Sequence, residues 1–283
     1  MVSVQQRRSL EMISPQDAIP RIIHQTYPTK SLPAELRRNV ERIKALNPTY
    51  EHRLYDDADI ECFIMDQYGR EMLAAYHQIN PDYGAARADL FRYLLIYAVG
   101  GVYLDIKSTT TQPLAETLRA DDVYVLSQWD NGPGRPFEKV GTNAECRHIP
   151  GGEFQQWYVI AAPGHPFLRA VIEKVLDNIK RYRPWRHGHA RIGTLRLTGP
   201  RAYSNAIAPL LAHHPHRRTM YEDGLGLAYT SYSQTTAHRS VYAKHYHTNR
   251  TPIVIGHGAN RLIFPLYLHG WRIYRGLKSI GGI

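Results

Sequence analysis

The sequence predicts an α/β protein with a mostly parallel, Rossmann-like sheet flanked by helices. Apolar runs of strand length alternate with helical periods from residue 19 onward, a βαβα order that argues for layers around one sheet rather than a helical bundle. The segment from Ala85 to Ile106 reads as a helix that is apolar nearly all round, followed at once by a strand. With 283 residues, 43% of them hydrophobic, the chain can bury a core for one large domain or two fused halves.

Residues 1–18 are polar and without period, a loose lead-in. IPRIIHQTY (19–27) gathers Ile19, Ile22 and Ile23 and stops at Pro28, as a buried first strand would. Pro33 opens a helix with Leu36, Val40 and Ile43 on one face, and Asn47-Pro48 closes it. YEHRLY (50–55) alternates Tyr50, His52 and Leu54 as a second strand. Asp56 or Asp57 caps a helix carrying Ile60, Phe63 and Ile64 as far as Tyr68-Gly69. The helix from about Ala85 to Val99 ends at Gly100-Gly101, and VYLDI continues as a strand.

Further strands fall at DVYVL (122–126) and WYVIAA (157–162), separated by the turn-rich NGPGRP (131–136). After Gly164, a stripe of Leu168, Val171, Ile172, Val175, Leu176 and Ile179 marks the clearest helix. Beyond Arg181 the chain is basic and reads as a mobile loop; Pro200 then starts a helix running to about Ala212. Residues 220–255 suggest short strands and loops, and 256–283 form a basic, aromatic tail.

Lys and Arg outnumber Asp and Glu by 35 to 25, and the formal charge of +10 favours anionic partners. No nucleic-acid motif organises that charge, so nucleic acid is not expected as a partner. Cys62 and Cys146 are too few for a disulfide framework and fit a reducing compartment. The N-terminus lacks a signal-peptide apolar core, and the longest apolar run, 93–104, is split by Gly100-Gly101 and bounded by Arg92 and Asp105. A cytoplasmic protein is expected, its basic aromatic C-terminus holding peripherally to the anionic inner face of the plasma membrane.

Two pairs of charges carry the chemistry. In an extended strand, Asp105 and Lys107 face the same way with Ile106 opposite, either as a strand-end salt bridge worth about 0–1 kcal/mol or as a pair at the ligand-binding edge of the sheet. Asp89 and Arg92 share one face of an otherwise apolar helix. They must pair with each other, cap something or reach a ligand, because unpaired buried charge costs several kcal/mol.

AARADLFRYLLIYAVGGVYLDIK (85–107) resembles the signature of the DXD-containing sugar transferases of glycosyltransferase family 32, whose members include yeast mannosyltransferases and, more distantly, clostridial glucosylating toxins. IPRIIHQTY resembles that family's opening strand, NPTYEHRLYDD (47–57) its second, and APGHPFL (162–168) a later strand-to-helix junction. The resemblance covers roughly residues 19–205 and implies a GT-A fold over 19–255, with a nucleotide-sugar half (19–120) and an acceptor half (121–255). The implied activity is transfer of a hexose or N-acetylhexosamine from a UDP- or GDP-sugar to a glycan or lipid-linked acceptor of surface polysaccharide synthesis, with retention of configuration. The alternative from another class is a nucleotide-sugar or glycan binding protein with a decayed site.

The resemblance places His24, Gln25 and Tyr27 in the nucleobase pocket, Asp89 on ribose or sugar hydroxyls, Arg92 on sugar or diphosphate, and Tyr103 and Asp105 at the donor. Asp105 is the first acid of DXD; where the second acid would hold Mn²⁺ or Mg²⁺ stands Lys107. Three readings follow. Lys107 contacts the diphosphate in place of a metal; Asp105 binds a metal with His245 while Lys107 turns aside; or the site is dead and kept for binding. On the acceptor side Trp129 and Asp130 offer an aromatic face and a carboxylate, or Trp129 is simply core. Gln156 stands where relatives carry Asn beside the bond-making centre.

Overall fold

The computed structural model describes residues 2–220, 224–231, 249–255, 263–271 and 273. A six-stranded sheet forms the middle layer. Its strands are β1 (Ile22–Thr26), β2 (Glu51–Tyr55), β3 (Gly101–Leu104), β5 (Tyr124–Gln128), β6 (Tyr158–Ala161) and β7 (Arg217–Met220), in the order β2-β1-β3-β6-β5-β7. β1 runs parallel to β2 and β3, and β5 parallel to β7; β6 is antiparallel to both of its neighbours. β4 (Thr109–Thr110) and β8 (Leu227–Ala228) make a separate two-stranded antiparallel pair.

The two faces of the sheet are sorted by strand periodicity. Tyr103, Tyr124, Leu126, Val159 and Ala161 join the larger core, beneath α5 (Gly84–Val99), α7 (Pro166–Lys180) and α10 (Pro200–Ile207). Ile23, Val102, Leu104, Val125 and Ile160 point the other way, against Ile43 of α2 (Ala34–Leu46). α5 is buried on most sides, as its composition predicts: Leu90, Phe91, Tyr93, Leu94, Leu95 and Ile96 are all at 0% exposure. At about 1.5–3 kcal/mol for each fully buried large side chain, this helix anchors the molecule. Gly100 ends it at φ +71°, where a Cβ would lie 2.6 Å from Pro163 Cδ; Gly101, at φ +100°, would meet the Ile22 carbonyl oxygen at 2.7 Å. Only glycine fits either position, so β3 can leave α5 and enter the sheet without a gap.

The strands at 19–27 and 50–55 and the helices opened by Pro33, Asp56, Pro166 and Pro200 form as their patterns predict, within a few residues at the ends. Several readings change. The lead-in is not wholly loose. α1 (Val4–Glu11) is closed by a Ser3–Gln6 capping box, and Leu10 is fully buried. α3 (Asp57–Tyr68), whose capping box joins Asp56 and Asp59, is followed directly by α4 (Arg70–His77), which lacks a side-chain cap to announce it. The basic stretch after Arg181 folds into α8 (Pro184–His187) and α9 (Ala190–Leu197) rather than remaining a loop. The strand expected at 122–126 lies two residues later, so Gln128 is its last residue rather than the first of the loop. α6 (Leu114–Thr117) completes the described elements up to β5. No helix among the described residues is long and apolar enough to cross a membrane.

Candidate active site

β3 ends at Leu104, so Asp105 and Lys107 are not two residues of one extended strand. The Asp105 amide still donates to the Trp157 carbonyl of the neighbouring segment (2.9 Å), and the chain then turns, with the Ser108 amide donating to the Asp105 carbonyl (2.8 Å). Asn39 of α2 holds the turn from below. Its side-chain amide donates to the carbonyls of Ile106 (3.3 Å) and Ser108 (2.8 Å), while Ile106 packs against Leu36 and Val40. The expected same-side placement of Asp105 and Lys107 is thus reached through a turn rather than through strand periodicity.

Asn39→Ala leaves two buried carbonyls without these donors and is expected to destabilise the fold by about 1–3 kcal/mol. Chemical denaturation reads this directly; a midpoint unchanged from the native chain would show that the turn holds itself.

Four charged side chains alternate in sign across the site. Asp89 Oδ1 lies 3.3 Å from Arg92 Nη2, Arg92 Nη2 lies 2.9 Å from Asp105 Oδ1, and Lys107 Nζ lies 2.8 Å from Asp105 Oδ2. Their side-chain exposures are 8%, 5%, 22% and 10% in order, so Asp105 is the member that opens most to solvent. Desolvation works to raise the Asp105 carboxyl, but the Arg92 and Lys107 charges outweigh it and hold the group below the usual carboxylate value. Desolvation raises the Asp89 carboxyl, with Arg92 as the principal opposing influence.

The buried end of this chain is fully braced. Thr198 Oγ1 donates to Asp89 Oδ2 (2.8 Å), and Gln156 Nε2 donates to Asp89 Oδ1 (2.8 Å) and to the Tyr93 hydroxyl (2.6 Å). Arg92 Nη1 donates to the Gln156 carbonyl (2.6 Å), and the guanidinium sits 4.6 Å over the Tyr103 ring. Tyr103 is 1% exposed and its hydroxyl bonds Thr26, which makes it the platform under Arg92 rather than a group facing a ligand. Gln156 is likewise a brace for Asp89 and Arg92, its amide turned into the core rather than toward a reacting bond. Asp89 faces these partners instead of sugar hydroxyls.

At the open end, Lys107 Nζ lies 4.3 Å over the ring of Tyr229. Tyr229 arrives through the β4–β8 pair: Ser108 Oγ donates to the Tyr229 carbonyl (2.9 Å), and the Ser231 amide to the Lys107 carbonyl (2.8 Å). Trp129 (5.5 Å) and Trp157 (5.7 Å) stand edge-on to the same ring, so that both indoles are tied to Lys107 through Tyr229. Asp130 forms an ion pair with Arg135 beside them.

The group expected at the nucleobase separates. His24 is fully buried, its Nδ1 3.1 Å from the Tyr55 hydroxyl and its Nε2 3.0 Å from the Gly100 carbonyl oxygen. Both ring nitrogens are taken, so His24 locks β1 to the α5–β3 junction and does not line a pocket. Gln25 stays at the site, donating to the Asp105 carbonyl (3.4 Å) and accepting from His52 Nε2 (2.9 Å). Tyr27 packs beside Leu36 and Ile106. His245 lies outside the described residues. Thr198, Tyr93, Asn39 and Tyr229 were not singled out by sequence; the turn and helix start at Gly199-Pro200 was the one nearby signal, for Thr198.

Residues 33–124, which contain α5, the turn and both charge pairs, match the family described as a glycosyltransferase sugar-binding region containing a DXD motif. They belong to that family. Among curated relatives, inositol phosphoceramide mannosyltransferase 2 of Schizosaccharomyces pombe is 29% identical over 174 residues, covering 62% of this chain and 43% of its own. The initiation-specific alpha-1,6-mannosyltransferase of the same organism is 23% identical over 229 residues, 73% of this chain and 55% of its own. Its inositol phosphoceramide mannosyltransferase 3 is 37% identical over 158 residues, 56% and 37% respectively. The chain therefore spans about half, or less, of the length of these relatives. Among solved structures, the PaToxG glycosyltransferase superposes with a TM-score of 0.50 at 16% identity, covering 72% of this chain and 73% of that one, a likeness of fold. The fold is of GT-A type.

A DXD region raises the question of a divalent cation, and the described residues do not fit one. Both Asp105 oxygens already accept from cationic groups, Arg92 and Lys107, and the position of the second acid carries an ammonium that would repel a metal. Among the described residues no three His, Cys, Asp or Glu side chains gather in a group that could hold a metal ion.

Proposed function

We propose that the protein is a retaining glycosyltransferase that moves mannose, or a closely related hexose or N-acetylhexosamine, from a UDP- or GDP-linked donor to a hydroxyl of a glycan or lipid-linked acceptor. The observation that carries this reading is the alternating chain Asp89–Arg92–Asp105–Lys107 at the sheet edge of a DXD region. Mannose is favoured by the mannosyltransferase names of the relatives, and the inositol phosphoceramide named in two of them favours a lipid-linked acceptor. Surface glycan or glycolipid synthesis is the setting this chemistry suits. The unpaired cysteines, Cys62 exposed and Cys146 buried, support a cytoplasmic location.

Charge conservation explains Lys107. Replacing Asp by Lys changes the formal charge of the site by two, the same change a divalent cation makes when it binds two carboxylates. In this reading Lys107 and Arg92 offset the negative charge that develops on the departing diphosphate, and Asp105, kept ionised by both, accepts from donor hydroxyls. Asp89 is enclosed by Thr198, Gln156 and Arg92 and is not placed to attack the sugar. That supports a front-face route: the anomeric C–O bond to phosphate breaks with its electron pair leaving on the diphosphate, the acceptor oxygen bonds the anomeric carbon on the same face, and a diphosphate oxygen takes the acceptor proton. Trp129, edge-on to Tyr229, offers the acceptor sugar an apolar face.

Calorimetry and transfer assays with UDP- and GDP-sugars test this. Turnover of at least one donor, abolished by Asp105→Ala, is expected. Unchanged turnover in that variant would sink the assignment of the site, and binding without hydrolysis or transfer would favour a binding protein with a decayed centre.

A further inference from the structure

The positive charge is divided unevenly along the chain. From Asn178 to the C-terminus the sequence holds sixteen Lys and Arg against two acids, Glu222 and Asp223, whereas residues 1–177 hold nineteen Lys and Arg against 23 acids; Arg181, Arg196, Arg201 and Arg217 are ion-paired with acids of that earlier part. Part of that excess lies around α8 and the start of α9. Lys180, Arg181, Arg183, Arg186 and Arg191, around α8 and the start of α9, are all exposed. Large apolar side chains stand open among them: Trp185 is 55% exposed and Ile192 41%.

Between Trp185 and Ile192 the chain presents His189, and a helix from the carboxyl-terminal region docks there. Phe264, Tyr267 and Trp271, spaced to share one helical face, place their rings 6.0, 5.5 and 4.8 Å from the His189 ring, and His189 Nδ1 lies 3.1 Å from the Tyr267 hydroxyl. A different face of the same helix carries Ile263, Leu266 and Ile273, at 38%, 74% and 53% exposure. That stripe is apolar and unburied, on a helix that packs against His189 between Arg186 and Arg191.

We propose that this end of the molecule, residues 180–192 together with the helix at 263–271 and Ile273, docks on an anionic lipid bilayer. Leu266, Ile273 and Trp185 enter the headgroup boundary while the arginines around them meet lipid phosphates. The two halves of the observation select this partner. A nucleic acid would satisfy the charge and leave the apolar stripe in water. A second copy of the chain would cover the stripe and set like charge against like charge. The proposal stands independently of the donor chemistry.

Co-sedimentation of the full chain with vesicles tests it. Binding is expected to vesicles containing about one-third phosphatidylserine, to be weak on pure phosphatidylcholine, and to fall at high salt. Leu266→Asp combined with Trp185→Ser is expected to weaken it about tenfold or more, with circular dichroism and thermal midpoint unchanged. Lys180→Ala with Arg186→Ala, exposed positions outside every core cluster, should weaken it independently. Undiminished binding in both double variants, equal binding to neutral vesicles, or preferential capture of duplex DNA would each overturn the proposal. So would failure to bind vesicles together with a dimer, seen by sedimentation, that Leu266→Asp dissolves.

Discussion

Stripping divalent cations with a chelator is expected to leave turnover by this protein within about twofold, whereas Lys107→Ala is expected to lower it by about 10²–10³-fold, the cost of deleting one preorganised charge at a leaving group. The reasoning is electrostatic. Lys107 Nζ is held 2.8 Å from Asp105 Oδ2 and against the Tyr229 ring, so its charge is fixed in advance and, in the proposed reaction, would need no reorganisation when a diphosphate departs. The same ammonium and the Arg92 guanidinium leave Asp105 without a lone carboxylate oxygen to offer a metal. Lys107→Asp restores the two-acid pattern and should convert the enzyme into one that turns over only with added Mn²⁺ or Mg²⁺. Steady-state kinetics across a metal series decides the matter. Activity of the native chain that is lost to chelation and restored by Mn²⁺ would refute the substitution of lysine for metal.

The second large effect is on stability in mild acid. Burial lowers the pKa of His24 to about 3, of His52 to about 4 and of His165 to about 4, in each case chiefly because the charged ring would have to be desolvated. All three are neutral in the folded protein, and all three take up protons in the unfolded chain as pH falls below about 6.5. The unfolded state therefore binds more protons between pH 6.5 and the folded values, and the stability these histidines contribute is complete above that window and lost as pH falls through it. Each contributes up to about 1.4 kcal/mol per pH unit, so one unit below 6.5 the three together remove about 4 kcal/mol from a total of about 5–15. The raised carboxyls of Asp89 and Glu153 work in the opposite direction, since protonating them relieves buried charge. Urea midpoints at pH 7.5 and 5.5 should differ strongly, with the lower midpoint in acid. Coincident midpoints would show that the buried rings ionise without unfolding.

Much of the scaffold was legible because it is periodic. The apolar stripe of α7, the all-round apolar α5 and the glycine pair after it left few alternatives. α4, α8 and α9 were harder to see: α4 begins on a glycine with no side-chain cap, and α8 is a single turn among basic residues that resemble a loop. At the site, the four alternating charges were readable from spacing and resemblance, but their division of labour was not. Whether His24 meets a base or the Gly100 carbonyl depends on how a ring is oriented, and a strand pattern does not encode that. Thr198 reaches Asp89 across 109 residues of chain, a distance at which local periodicity carries no information.

The contact of Tyr229 with Lys107 has a consequence for biosynthesis. β1, β2 and β3 are complete once residue 104 has been made, yet the segment that closes over Lys107 lies at 227–231. As the chain leaves the ribosome, Lys107 emerges more than a hundred residues ahead of the segment that seats it. The packing around Lys107 is thus among the last parts of this site to be completed. A product truncated at residue 220 would carry every strand of the six-stranded sheet and still lack the segment that packs over Lys107.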